Sequence, residues 1–195
     1  MIRHFLALCN NTLEHISDAS VFRDATIGFS HYSEQCPRCG AIGNLRPYGN
    51  YSRSLVSCGD GKVNDSRISP IRFACASCGK THALLTGNLV PYSPYSLPFM
   101  MAVLIAYFER TTTVCAVCSH YGIAVSTLYA WKQRLLEHKE LVLGALLSLK
   151  KPVLDFLRDI FRSEQISIYL SDFFTRFGFS FMQNRTLKAS LSRPP

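Results

Sequence analysis

The sequence predicts an α+β fold, with a small β domain in the first half and helices after it. Two Cys-x-x-Cys-Gly segments, beginning at Cys36 and Cys75, flank a stretch rich in β-forming side chains. Two short segments of helical periodicity follow, separated by a turn that contains Gly122. The order of these segments predicts an N-terminal segment (1–35), a cysteine-bearing β domain (36–90), a linker (91–96), a helical unit (97–138), a C-terminal helical region (139–183) and a disordered tail (184–195).

Composition narrows the class of protein before any motif is considered. The chain has 195 residues, of which 48% are hydrophobic and 17% are charged. This excludes an intrinsically disordered chain and leaves ample material for a packed core. The formal net charge of +8 favours an anionic partner. Residues 36–95 carry seven basic and two acidic side chains, whereas residues 96–140 are nearly balanced at +1.

No segment is long enough to cross a membrane. The longest apolar run, 97–108, has 12 residues, whereas a spanning helix needs about 20. The apolar stretch 5–9 is shorter than the roughly 7–15 residues of a signal peptide. We therefore expect a cytoplasmic protein whose thiols stay reduced. In residues 1–35 we predict a short helix around 12–16 and no functional site.

Eight cysteines in a reduced chain indicate metal binding or thiol chemistry rather than disulfides. The segments 36–40 and 75–79 each contain two cysteines separated by two residues and followed by glycine. Such a turn directs both thiolates to one point, and the glycine permits the positive φ that the turn needs. Two such turns supply the four thiolates of a tetrahedral structural zinc site. The sequence therefore predicts a zinc ribbon, with the zinc ligands Cys36, Cys39, Cys75 and Cys78.

The 35 residues between Cys39 and Cys75 are predicted to form the hairpin of the ribbon. Residues 45–56 and 67–74 are rich in β-formers and predict two strands. Glycine, aspartate, asparagine and serine in 59–66 predict a long turn between them. The alternatives are two unrelated thiol pairs or a redox Cys-x-x-Cys, although no βαβ pattern accompanies either pair.

The remaining thiols and one histidine have less specific interpretations. His82 is either a substitute ligand or a residue that packs or hydrogen-bonds beside the ribbon. Cys9 and Cys58 are interpreted as small buried hydrophobic residues. Cys115 and Cys118 also have two residues between them, but they fall in a predicted helix and are interpreted as core or near-core residues.

The linker 91–96 contains two prolines and cannot continue a strand or a helix. Ser96 is the predicted N-cap of a helix that has Pro98 in its first turn and runs to about Arg110.

Two further helices are predicted to form a helix-turn-helix. Thr113 is the N-cap of the helix 114–121, which ends at Gly122, and the next helix extends over about 126–137. The spacing of apolar residues predicts the contacts between these helices. The side chains predicted to make them are Val117, Cys118, Tyr121, Ile123, Leu128 and Trp131.

In a helix-turn-helix the second helix lies in the major groove of DNA, with its first residues near the base edges. Glutamine can pair with adenine, and threonine or alanine can contact the thymine methyl group, whereas basic side chains contact phosphates. The predicted DNA-binding residues are Ser126, Thr127, Tyr129, Ala130, Lys132, Gln133 and Arg134. The alternative is an ordinary helical hairpin. Because residues 96–140 carry little net charge, the basic ribbon would supply further phosphate contacts.

The C-terminal region is predicted to consist of helices with one apolar face, the last of which ends at Gly178. The carboxylates after Glu140 are Asp155, Asp159, Glu164 and Asp172. A nuclease or strand-transfer core needs carboxylates from separate strands, and no strand is predicted here. We therefore predict no catalytic residue and no enzymatic activity, and we interpret the region as a helical core or a dimerisation surface.

The two cysteine turns, together with the segments 75–85 and 91–97, resemble an uncharacterised bacterial family. Its members carry a zinc ribbon before a helix-turn-helix and are described as transposase-like. Residues 125–132 are similar to the recognition helices of insertion-sequence transposases. The resemblance covers about residues 36–182. It implies zinc at the four cysteines and DNA contacts from Ser126 onward, but not strand-transfer chemistry, because the transposase catalytic domain has no counterpart here.

These observations lead to one principal hypothesis. The protein would be a zinc-stabilised, sequence-specific binder of double-stranded DNA, acting as a regulator or accessory factor of a mobile element. It would act as a homodimer or beside a separate recombinase subunit. The alternative is a protein-interaction adaptor, in which the ribbon and the aromatic C-terminal helices bind a partner protein. A third hypothesis is an enzyme that acts on nucleic acid through Asp155 or Asp172.

Overall fold

The computed structural model describes residues 2–4, 19, 22–23, 26, 29–59, 61–162 and 166–184. The α+β prediction is confirmed, since a small, mainly antiparallel sheet precedes a set of helices. The strands are β1 (Ile2–His4), β2 (Leu45–Asn50), β3 (Arg53–Gly59), β4 (Lys62–Ile68), β5 (Ile71–Cys75) and β6 (Thr81–Thr86). The helices are α1 (Leu97–Glu109), α2 (Val114–Tyr121), α3 (Val125–Leu143), α4 (Ala145–Lys150), α5 (Val153–Arg162) and α6 (Ile166–Phe177). Cys9, the helix predicted around 12–16 and the tail from residue 185 lie outside the described residues.

The sheet that carries the cysteine turns has the strand order β1-β6-β5-β2. Strands β2, β5 and β6 pair antiparallel, and β1 pairs parallel with β6. Phe73 and Cys75 of β5 face a small apolar core that also contains Leu45 and Leu84. The alternate residue, Arg72, therefore projects from the opposite face of the sheet.

The hairpin in the structure differs from the one that the sequence predicts. Each of the two predicted long strands is divided, because β2 and β3 are separated at 51–52 and β4 and β5 at 69–70. The inner strands β3 and β4 pair only with each other and form a separate two-stranded sheet. The long turn predicted at 59–66 is wrong, since Asn64 and Asp65 belong to β4 and pair with β3. Both side chains are exposed, so turn-forming residues here occupy a solvated strand.

The linker between the sheets and the helices is hydrogen-bonded to β3. The backbone N–H of Val56 donates to the carbonyl of Pro94 at 2.7 Å, and the N–H of Ser96 donates to the carbonyl of Val56 at 2.9 Å. Between these two bonds, the ring of Tyr95 packs against Phe99 and Trp131, with centroid distances of 5.6 and 4.9 Å. The linker is thus part of the packed structure and not a free spacer.

The helix ends follow the local signals in the sequence. The hydroxyls of Ser96 and Thr113 accept from the backbone N–H groups of Phe99 and Ala116 and cap α1 and α2. Gly122 ends α2 with a φ of 63°. Helix α3 begins after Ala124 and continues to Leu143, six residues beyond the predicted end at 137.

The helices share one apolar core. Leu104 of α1, Leu128 and Leu135 of α3, Leu157 of α5 and Phe173 of α6 are all buried in it. Val56 and Cys58 of β3 pack against the same core, so the inner hairpin and the helices are joined by apolar contacts.

The C-terminal segment returns to α3. The buried ring of His138 accepts a hydrogen bond at Nδ1 from the backbone N–H of Met182 at 3.0 Å. Phe173, Phe179 and Phe181 surround this ring with centroid distances of 5.3 to 5.5 Å. The aromatic side chains of this region therefore fill the core.

Helix α4 is attached by a buried lysine and exposes its apolar side chains. The ammonium of Lys139 donates to the carbonyls of Ser148, at 2.6 Å, and Lys151. These groups lie at the C-terminal end of α4, where a cation is stabilised by the helix dipole. The exposed apolar side chains of α4 are Leu146, Leu147 and Leu149.

Among the described helices, none alone combines the length and apolar character that a membrane span requires. Helices α2 and α3 reach the required length and apolar character only when they are taken together, and the angle between their axes is 101°.

Candidate metal centre and paired helices

The first cysteine turn is closed by two backbone hydrogen bonds. The N–H of Cys36 donates to the carbonyl of Ala41 at 2.9 Å, and the N–H of Gly40 donates to the carbonyl of Cys36 at 3.0 Å. Gly40 has a φ of 77°, which a residue with a side chain adopts only with strain. The N–H of Arg38 points to the Cys36 sulfur at 3.5 Å.

The second cysteine turn repeats this pattern. The N–H of Cys75 donates to the carbonyl of Lys80 at 3.0 Å, and the N–H of Gly79 donates to the carbonyl of Cys75 at 2.9 Å. Gly79 has a φ of 66°. The second turn is bonded to the segment that follows the first, because the N–H of Ala76 donates to the carbonyl of Asn44 at 2.8 Å. The shared Cys-x-x-Cys-Gly sequence thus produces the same local geometry twice.

The four predicted ligand atoms lie together. The sulfurs of Cys36 and Cys78 are 3.8 Å apart, and those of Cys39 and Cys75 are 3.7 Å apart. All four sulfurs lie within 4.8 Å of one another. A tetrahedral ion with metal–sulfur distances of about 2.3 Å places its sulfurs about 3.8 Å from each other. The cluster therefore has the dimensions needed to hold a metal ion.

The thiols of this cluster differ in acidity. The backbone N–H of Cys78 and that of Ser77 stabilise the Cys75 thiolate and lower the pKa of Cys75 to about 6. The N–H of Ala41 acts in the same direction on Cys39, but desolvation and the neighbouring thiols outweigh it and raise the pKa of Cys39 to about 11. Four thiolates at this separation repel one another, and a bound cation removes that repulsion.

His82 contacts the cluster from outside. Its Nε2 lies 3.3 Å from the Cys36 sulfur, and its ring is buried. Burial lowers the pKa of His82, which favours the neutral ring. Of the two interpretations of His82, the structure supports a hydrogen-bonding residue beside the four sulfurs.

The other described cysteines lie away from this cluster. Cys118 is buried in the helical core, Cys58 is half-buried against it and Cys115 is exposed on α2. Burial raises the pKa of the Cys118 thiol. Within the described residues, the four clustered cysteines are the one group of three or more potential ligands that could hold a metal ion.

Helices α2 and α3 are joined by a tight turn and cross at 101°. The N–H of Ile123 donates to the carbonyl of Cys118 at 3.0 Å and closes the turn. The side chains predicted to hold these helices together include five that are buried in the core and one, Tyr121, that is half-buried. The five buried side chains are Val117, Cys118, Ile123, Leu128 and Trp131.

The predicted DNA-binding residues occupy different positions on α3. Ser126, Tyr129, Ala130 and Gln133 are exposed and recur at helical spacing on one side of the helix. Thr127, Lys132 and Arg134 are half-buried.

Three of the polar side chains in this set contact neighbouring groups. The ammonium of Lys132 lies 5.6 Å from the ring centroid of Tyr107 and 5.7 Å from that of Tyr129. The amide of Gln133 donates to Glu137 at 3.3 Å. Arg134 donates to the carbonyl of Met182 at 3.1 Å, and this contact turns its guanidinium toward the C-terminal segment.

The position of Tyr107 was missed by sequence reasoning. Tyr107 lies on α1, and its ring meets Tyr129 edge-on at 6.2 Å, so the two rings flank Lys132. No spacing within α3 indicates this contact, because it depends on how α1 packs across the helix pair.

Comparison with known proteins adds one match. Residues 36–131 match the model of a family described as a domain of unknown function (DUF6431). The matched segment includes both cysteine turns, the linker and the helices up to Trp131. No curated protein and no solved structure matches the chain.

Proposed function

We propose that this protein is a zinc-stabilised, sequence-specific binder of double-stranded DNA. The ion would be held by the four clustered cysteines, and the first half of α3 would read the DNA. The observation that carries the proposal is the exposed stripe of α3, formed by Ser126, Tyr129, Ala130 and Gln133, on a helix whose opposite side is buried.

Zinc is the metal that this donor set favours. Four thiolates in a closed tetrahedral arrangement suit a structural zinc ion, which has no redox chemistry and leaves no open coordination position. The backbone N–H groups directed at the sulfurs and the His82 contact would orient the ligands. Bound zinc would supply folding energy to the cysteine-bearing sheet.

The dimensions of the helix pair support insertion of α3 into DNA. The major groove is about 12 Å wide and accepts one α-helix. The 101° angle between α2 and α3 suits the pair, because α2 would cross the DNA backbone while α3 enters the groove. In this position Gln133 would reach a base edge, and Ala130 and Thr127 would contact a thymine methyl group.

Phosphate contacts would come from Lys132 and from the basic sheet region. Residues 36–95 have a net charge of +5, and Arg38, Arg46 and Lys80 are exposed there. Arg134 would not contact DNA. Because its guanidinium donates to the carbonyl of Met182, Arg134 would attach the C-terminal segment to α3.

Selection of bound sites from random duplexes, with zinc-loaded protein, tests this proposal. We expect a defined site, and binding that weakens steeply with salt and is lost in the presence of a chelator. Gln133→Ala should change the selected sequence, whereas Lys132→Ala should weaken all sequences alike and reduce the salt slope by about one. The control is Arg176→Ala, which removes an exposed basic side chain of α6. Undetectable or salt-independent binding would refute the proposal.

A role in a mobile element, as regulator or accessory factor, is supported only by the resemblance to transposase-like proteins. Terminal inverted repeats or a recombinase gene beside the coding sequence would support this role. Neighbouring genes without either would remove its basis.

The exposed leucines of α4 favour a second candidate function, a protein-interaction adaptor. Leu146, Leu147 and Leu149 form an exposed apolar surface on α4, and clustered exposed apolar residues mark interaction sites. Affinity capture of a stoichiometric partner protein that survives nuclease treatment would support the adaptor, provided that substitution of these leucines by serine abolishes capture. Capture that disappears with nuclease would exclude it.

A further inference from the structure

A cleft of about 550 Å³ lies between the outer face of the cysteine-bearing sheet and the linker. Arg72 and Thr81 contribute from the sheet, Arg53 from the start of β3, and Tyr92 and Ser93 from the linker. None of the described lining residues is acidic. The volume falls within the range of about 300–1,000 Å³ that small-molecule sites occupy.

Arg72 is a cation that has no ion-pair partner among the described residues. Its guanidinium lies 5.6 Å from the ring centroid of Tyr48 and 5.9 Å from that of Tyr51, so it is held between two aromatic rings. Its Nε is buried and makes no hydrogen bond to any described residue. Neither Arg72 nor Arg53 forms an ion pair with a carboxylate in the described part of the chain. An anion in the cleft would supply the missing charge.

Two features of the backbone place one aromatic ring beside Arg72 and another at the cleft. A bulge in β2 leaves Tyr48 unpaired between Pro47 and Gly49 and turns its side chain toward Arg72. Tyr92 has a φ of 60°, which is costly for a bulky residue. The N–H of Ser93 donates to the carbonyl of Val90 at 3.3 Å, so Tyr92 occupies the third position of a β-turn whose second residue is Pro91. This turn holds the ring of Tyr92, which is 79% exposed, at the cleft.

Arg53 fixes the opposite wall of the cleft. Its guanidinium donates to the carbonyl of Val90 at 2.6 Å and to that of Ser93. These bonds hold the linker against β3, and Arg53 also lines the cleft. Two arginines facing one space repel each other, and a ligand anion between them would offset this repulsion.

We infer that this cleft binds a nucleotide, with the phosphate at Arg72 and the base stacked on Tyr92. Arginine beside exposed aromatic rings is the combination that binds unpaired nucleotides, because the guanidinium takes the phosphate and every base offers a face for stacking. The nucleotide is either one unit of an unpaired strand or a free mononucleotide. The site lies on the sheet and does not use α3, so it is distinct from duplex reading by the helix pair.

Calorimetric titration of the zinc-loaded full-length protein tests this inference with three probes: inorganic phosphate, deoxythymidine monophosphate and a single-stranded deoxythymidine hexamer. We expect the two nucleotide probes to bind more tightly than phosphate. Tighter binding of the hexamer identifies a strand as the ligand, and tighter binding of the monophosphate identifies a free nucleotide. Absence of binding by all three probes at millimolar concentration overturns the inference.

Arg72→Gln should weaken nucleotide binding by about tenfold or more, because a charge-assisted contact is lost. The matched control is Arg67→Gln, which removes the same charge from an exposed position of β4 outside the cleft. Tyr92→Ala should weaken the nucleotide probes by about fivefold or more and leave phosphate unchanged. Equal effects of Arg72→Gln and Arg67→Gln would indicate diffuse electrostatic attraction and overturn the inference.

Two further variants keep the test decisive. If Arg72→Gln does not fold, as judged by zinc content and thermal unfolding, Ala83→Leu fills the cleft while both arginines remain, and it should weaken binding of the nucleotide probes. Lys132→Ala should leave nucleotide binding unchanged even where it weakens duplex binding. Failure of the nucleotide site is therefore separable from failure of DNA recognition by α3.

Discussion

The ring of Tyr95 meets the indole of Trp131 edge-on, with the centroids 4.9 Å apart and the ring planes at 77°. Tyr95 belongs to the linker segment that is paired with β3, and Trp131 belongs to α3. This contact therefore joins the cysteine-bearing half of the protein to the helix proposed to enter DNA.

Replacement of Tyr95 should destabilise the whole fold. Tyr95→Ala should lower the free energy of unfolding by about 2–4 kcal/mol, because it removes a large ring from an apolar contact and leaves a cavity beside Trp131. Denaturant titration measures this change. Tyr92→Ala, on the same linker but exposed, should stay within about 0.5 kcal/mol of the unchanged protein. Equal effects of the two substitutions would contradict the packing described here.

The proposed zinc site leads to different expectations for two exposed cysteines. Cys39→Ser should lower the zinc content from about one ion per chain to none and should lower the melting temperature, because it removes one of four ligands. Cys115→Ser should leave both quantities unchanged, since that thiol lies on α2 outside the cluster. Elemental analysis and thermal unfolding provide the measurements. A Cys39→Ser protein with stoichiometric zinc would refute the four-cysteine site.

His82 should affect how tightly the metal is held. His82→Phe should weaken zinc binding by about 10- to 100-fold, because the Cys36 sulfur loses its hydrogen bond to the ring while the apolar volume is kept. Competition with a chelator of known affinity measures the change. The control is His120→Phe, at an exposed position of α2. An unchanged affinity in His82→Phe would show that the contact is only one of packing.

We expect the folded protein to lose stability in alkaline solution because of Tyr169. Burial, with the nearby Asp172 carboxylate, raises the pKa of Tyr169 well above its usual value of 10. The folded protein therefore keeps a phenol that the unfolded chain ionises, so this group's contribution is complete below pH 10 and is lost as the pH rises above it. One such proton changes the unfolding free energy by about 1.4 kcal/mol per pH unit.

Tyr169→Phe should remove that part of the pH dependence. Its hydroxyl is buried without a hydrogen bond to any described residue, so the substitution should leave stability at neutral pH unchanged or raise it by up to about 1 kcal/mol. Denaturant titrations between pH 9 and 11 measure the slope. Tyr32→Phe, at a position that is 75% exposed, should keep the slope of the unchanged protein. A Tyr169→Phe protein with the same slope would contradict this assignment.

The helices and the cysteine site could be predicted because their signals are local. Ser96, Thr113 and Gly122 determine helix ends through hydrogen bonds to residues a few positions away. The two cysteine turns likewise close on themselves within six residues. The approach of the two turns to each other depends on the rest of the sheet. Their matching sequences nevertheless indicated that they would lie together.

The strands and the role of Arg134 depend on distant parts of the chain. Asn64 and Asp65 have the composition of a turn, but pairing with β3 determines their conformation. Strand β1 pairs with β6 across about eighty residues, Ile2 lying opposite Leu84. The carbonyl that binds Arg134 comes from Met182, and no pattern within α3 indicates it.

The hydrogen bonds between Val56 and the linker affect how the protein can be divided. A fragment that ends before residue 91 would leave the apolar side chains of Val56 and Cys58 uncovered, and a fragment that begins after residue 96 would lack the ring that covers Trp131. Shortened versions made by cutting there would therefore tend to aggregate. In the intact molecule the same bonds hold the linker backbone in place, so a protease should cleave it slowly despite the exposure of Tyr92 and Pro94.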